Sequence, residues 1–75
     1  MRATYEEEAN AAYIYLADRI DAGGVKFTYP CDPSEVHGMI NLDFDAAGRL
    51  VGIEVLDARH KLPSALLEQA ERLGR

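Results

Sequence analysis

Basic residues are scarce in this chain. Eight Lys and Arg stand against thirteen Asp and Glu, a formal charge of −5 at pH 7. Phosphate backbones need a basic footprint, so this balance argues against nonspecific nucleic-acid binding. It suits solubility and leaves a basic partner open. Cysteine is nearly missing. Cys31 is the only one, so no disulfide closes within the chain, as expected of a reducing compartment. No apolar run approaches the ~20 residues that span a bilayer. The opening MRATYEEEAN lacks the apolar core of a secretory signal. A cytoplasmic protein that engages no membrane is the expectation. Repeats, low-complexity tracts and linkers are also missing, so residues 1–75 read as one domain.

A chain of 75 residues buries only about 60% of its unfolded surface, which makes for a thin core. Domains of this size often recruit a metal or a second subunit. Four segments carry periodicity. Val36, Gly38, Ile40, Leu42 and Phe44 alternate with His37, Met39, Asn41 and Asp43, a period of two that predicts a strand over 36–44. After the polar loop 45–49, Val51, Ile53 and Val55 share one face of a second strand, with Gly52 and Glu54 on the other. The two runs predict a β-hairpin with Gly48 free to take a positive φ. Residues 25–29 predict a further strand after the turn at Asp21–Gly24, and the prolines at 30 and 33 end it.

Toward the end of the chain, Leu66, Leu67, Ala70 and Leu73 fall on one helical stripe. Pro63 and Ser64 suit its start and Gly74 its stop. So short a helix is marginal alone and must pack on the sheet or on another subunit. The N-terminal third reads both ways. Ala9, Ala12, Tyr13, Leu16 and Ile20 fit a helix, whereas Tyr13–Leu16 fits a strand.

Two stretches resemble a known family. Tyr5-Glu6-Glu7-Glu8-Ala9-Asn10-Ala11-Ala12-Tyr13-Ile14-Tyr15-Leu16 is similar to an opening motif of tyrosine, acidic residues, Ala-Asp-Ala and Leu-Tyr-Ile. Ile40–Asp45 followed by Gly48–Ala58 is similar to the closing motif. Together, over about residues 3–62, they resemble the bacterial domain-of-unknown-function family 2283. Asn10 and Ala12 depart from its usual Asp and Leu, and the segment after Pro63 lies outside the pattern. The resemblance implies a strand at Tyr13–Leu16, a short strand near Arg2–Tyr5 and a turn at Glu6–Asn10. It implies no activity. Some members look associated with toxin–antitoxin-type gene pairs.

Candidate sites are sparse. Asp43, Asp45, Gly48 and Glu54 mimic positions one, three, six and twelve of a calcium loop, but Ala47 offers no side-chain oxygen at position five. His37, Asp43, Glu54 and His60 are the ligand candidates, without diagnostic spacing. Cys31 with His37 or His60 could suggest a nucleophile and base, but no oxyanion or third-residue motif accompanies them, so no catalytic residue is assigned and no cofactor is implied. Arg59, His60 and Lys61 form a local basic patch. Tyr13 and Tyr15 share the face opposite Ala12 and Ile14, where either an interface or the helix covers them.

The expected fold is α+β, an antiparallel meander of about four strands with one C-terminal helix packed on the sheet. Its expected core is Ile14, Leu16, Ile40, Leu42, Phe44, Val51, Ile53 and Val55. Strand edges and a thin core favour a homodimer, with Tyr13, Tyr15, Leu66, Leu67 and Leu73 as interface candidates. The favoured function is a non-enzymatic protein-interaction module, antitoxin-like in kind. The alternative is a small-ligand or metal-binding domain, conceivably an enzyme, with a site completed between two subunits.

Overall fold

A computed structural model describes residues 1–73. The class is α+β, a mixed six-stranded sheet with short helices. Strand β1 (Arg2–Glu6) and strand β2 (Ala11–Tyr15) form an antiparallel hairpin, pairing Tyr5 with Ala12 and Ala3 with Ile14. The ambiguous N-terminal third is therefore extended. Its turn closes on Asn10 in the left-handed region at φ 53°, which asparagine tolerates better than most residues. Strand β3 (Phe27–Pro30) follows the Asp21–Gly24 turn, in which Gly23 takes φ 77° and the Gly24 N–H donates to the Asp21 carbonyl at 2.8 Å.

Next come helix α1 (Pro33–Val36), strand β4 (Ile40–Phe44) and strand β5 (Leu50–Leu56). The expected hairpin between the last two is present. Gly48 has φ 83°, and the Asp45 carboxylate accepts from the Ala47 and Arg49 amides at 2.9 Å each. Helices α2 (Ala58–Lys61) and α3 (Ser64–Gln69) lead to strand β6 (Glu71–Leu73). The strand order is β3-β4-β5-β2-β1-β6, antiparallel throughout except for the parallel β1–β6 pair.

Several expectations need correction. Among the described residues the sheet has six strands rather than about four, it is mixed rather than purely antiparallel, and there are three short helices rather than one. The strand expected from Val36 begins only at Ile40. Asp32 caps a helical turn there by accepting from the Ser34 amide, Pro33 supplies its pre-set φ, and His37 ends it in the left-handed region at φ 56°. Capping chemistry overrides the alternation of 36–39. The C-terminal helix stops at Gln69, where Ala70 turns extended. Residues 71–73 instead satisfy the open edge of β1, which would otherwise present unpaired backbone groups. Arg72 fixes the transition by donating from Nη1 to the Leu67 carbonyl at 2.8 Å. Leu73 thus leaves the helical stripe and lies exposed on β6.

The strand expected over 25–29 runs from Phe27 and ends at Pro30, which is its last residue. The Cys31 N–H donates to the Ile40 carbonyl at 2.8 Å, so the alternating ladder turns position 30 outward. The missing donor of proline faces the sheet edge, where it costs no ladder bond and blunts pairing with other strands.

The core sits at one end of the sheet. Tyr5, Ala12, Ala58, Leu67 and Ala70 form its buried cluster, with Ala3, Leu62 and Leu66 packed against it. Of the eight expected core residues only Val55 is buried, and Leu16 is exposed. The remainder are half-buried because the helices settle at the β1 side, α3 on β1 and α2 on β5.

Candidate functional site

The strand register arranges one sheet face into parallel cross-strand rows. Tyr5, Ala12, Val55 and Ile40 stand opposite one another in the first row. Ala3, Ile14, Ile53, Leu42 and Tyr29 make the second. Phe44 and Phe27 pair in the third, with rings 6.0 Å apart. Directly opposite side chains share a face, so all three rows project the same way.

Burial falls along this face toward β3. Tyr5 is 3% exposed and Ala12 and Val55 are 2%, because the helical cluster lies over them. Ile40, Ala3, Ile14, Ile53, Leu42 and Phe44 are half-buried. Tyr29 and Phe27 are 53% and 58% exposed. The second row is flanked by a groove of about 330 Å³ whose lining includes Met1, Arg2, Ala3, Ile14, Leu66 and Ala70. The β3 edge of an apolar sheet face is thus left open, although its alternation is the pattern of a buried surface.

The opposite face is polar and internally satisfied. Asp43 accepts from the Tyr13 hydroxyl at 2.7 Å and from the Thr28 hydroxyl at 2.7 Å. Asn41 donates to Glu54 at 3.0 Å across the β4–β5 pair. Tyr13 and Tyr15 meet edge to face with centroids 4.8 Å apart, and the Arg2 guanidinium lies 3.9 Å above the Tyr15 ring. Burial and the neighbouring Asp43 carboxylate push the Tyr13 hydroxyl well above its ordinary pKa. The helices lie on the other face, so it is Arg2 and Asp43 that partner these tyrosines.

A third cluster joins the β1–β2 turn to the β5–α2 corner. The Tyr5 hydroxyl donates to Asn10 Oδ1 at 3.0 Å and accepts from Arg59 Nη1 at 2.9 Å. Asn10 also accepts from the Arg59 amide and donates to Asp57. Asn10 and Asp57 both hold left-handed φ values, 53° and 55°. The sequence signal for this corner is slight: two residue types that tolerate that conformation, each just before a regular element.

The ligand candidates separate. Asp43 and Glu54 share the polar face, His37 ends α1, and His60 pairs with Asp57 at 3.0 Å on α2. Asp45 is occupied by loop amides. Among the described residues no group of three or more His, Cys, Asp or Glu side chains is placed to hold a metal ion. The basic patch is engaged internally, Arg59 with Tyr5, His60 with Asp57, and Lys61 with the Val36 carbonyl at 2.9 Å. Of the interface candidates, Leu67 faces the chain's own core and Leu66 packs beside it. Phe27 and Tyr29, which offer the most exposed aromatic surface, were not among those candidates. Alternation identifies their face but carries no information about what covers it. No described helix is long and apolar enough to cross a membrane.

The family model described as "Protein of unknown function (DUF2283)" matches residues 2–59, from the first residue of β1 into α2. No curated protein and no solved structure matches the chain.

Proposed function

The chain belongs to this family of proteins of unknown function, and from that premise we propose that it acts as a non-enzymatic protein-interaction module. The observation that carries this reading is the burial gradient from Tyr5 to Phe27 across one apolar face. Exposed apolar area costs roughly 25 cal/mol per Å² relative to burial. A contiguous apolar patch on a small domain therefore marks a surface that another molecule covers. Aromatic residues such as Phe27 and Tyr29 are the side chains that interface centres favour. The polar face is a poorer candidate, because its acceptors already have partners within the chain.

A photo-crosslinking residue tests the assignment when placed at position 29 and, separately, at position 28. Neighbours on one strand point to opposite faces. In cells, position 29 is expected to give a defined adduct and position 28 none. Adducts of equal yield from both positions, or none from position 29, would overturn the reading.

A further inference from the structure

We infer that the occupant of the open apolar rows is a second copy of this chain, packed face to face. This rests on the interaction reading above and specifies its partner. Three observations support it.

The first is area. A folded monomer of 8.3 kDa is expected to expose about 4,600 Å², whereas this chain exposes 5205 Å². The excess of about 600 Å² belongs to the chain as a whole, and the open rows supply part of it. Phe27 and Tyr29 supply on the order of 100 Å² each.

The second is charge. None of the three rows contains an ionisable carboxylate or a cation. Asp43 and Glu54 lie on the opposite face. A basic partner, recognised by the chain's negative charge, would find no acid on the open rows. A second copy carrying the same −5 charge can approach only where carboxylates are absent, and these rows meet that condition.

The third is shape. The helices cover the β1 side and leave the β3 side bare, so the molecule has a step. Sheets stack about 10 Å apart, close to the thickness of one helix layer. Under two-fold rotation the bare half of each sheet meets the bare half of the other, and α3 of each copy flanks the partner's β3 edge. The same patch serves both subunits, as an isologous contact requires. Two-fold packing would turn two half-open sheets into a sandwich with one shared core.

Sedimentation of the purified chain tests this, together with the position-29 crosslinker on the same purified protein. At about 100 μM the chain is expected to sediment at twice its monomer mass and to give a self-adduct. Tyr29→Glu and Phe27→Glu alter exposed positions that the folded monomer tolerates, which far-ultraviolet circular dichroism checks. Each should weaken self-association roughly thirtyfold or more, as central aromatic contacts do. Ala46→Glu, in the exposed β4–β5 loop, should leave it unchanged. A purified chain that stays monomeric, or a dimer that survives both glutamate substitutions, would overturn the second-copy assignment. If position 29 then captured a different macromolecule in cells, the interaction reading would stand without self-association. If it captured nothing anywhere, both would fall.

Discussion

The Tyr13 hydroxyl occupies the space that a side chain at Gly52 would need. Tyr13 stands on β2 beside Glu54 of β5, and its ring crosses β5 at the buried Gly52 to reach Asp43 on β4. Glycine in a strand interior is normally unfavourable. Here it is the condition that lets one aromatic ring tie three strands together.

Gly52→Ala should therefore destabilise the fold by about 1–3 kcal/mol, the usual range for overpacking. A urea denaturation curve measures it. Combining it with Tyr13→Ala removes the conflict, so the double variant should lose less than the two single losses added together. Strict additivity would show that the ring moves aside at no cost.

Alkaline titration isolates the same tyrosine. Tyr13 holds its proton more tightly when folded than in the unfolded chain, whose tyrosines ionise near pH 10. The folded state then binds more protons above that pH. Its contribution to stability is complete below about pH 10 and is lost as pH rises beyond it. Absorbance of tyrosinate should show one phase displaced to higher pH, and Tyr13→Phe should remove that phase. Asp43→Asn should move it back toward the ordinary range, because the carboxylate opposes the phenolate.

Asn10 combines two roles that two substitutions separate. Asn10→Gly keeps the left-handed backbone but loses the bonds to Tyr5, Asp57 and the Arg59 amide. Asn10→Ala loses those bonds and also meets the left-handed penalty of about 1–2 kcal/mol. Thermal or urea unfolding should rank the alanine variant below the glycine variant by roughly that amount. Tyr5→Phe leaves the buried ring in place and should cost about 1–2 kcal/mol for the missing hydroxyl.

Much of the sheet was legible because its signal is local. Alternation found β4 and β5 and the glycine between them, and family resemblance resolved β2, where periodicity stayed even. What the sequence hid was competition between elements. Residues 36–39 alternate like a strand, yet Asp32 and Pro33 commit the segment to a helical turn. Leu73 continues a helical stripe, yet the bare edge of β1 claims it. The expected core was the correct face of the sheet, but its burial depended on where α3 came to rest. That position follows from the tertiary packing of Leu67 and Ala70 on Tyr5 and Ala12. The same gap explains why Phe27 and Tyr29 were missed as candidate contacts.

His37 offers a last test, since it was a ligand candidate and the fold gives it a different task. It ends α1 at φ 56°, its N–H donates to the Pro33 carbonyl, and the Gly38 amide donates to the same carbonyl at 3.2 Å. The side chain is exposed, so its ring contributes little packing, while the left-handed backbone is strained for any residue with a Cβ. His37→Gly should remove that strain and stabilise the chain by about 0.5–1 kcal/mol, less the extra entropy glycine brings to the unfolded state. A rise in the urea midpoint at unchanged slope would support the capping role. A fall would show that the entropy glycine adds to the unfolded chain outweighs the strain relieved at position 37.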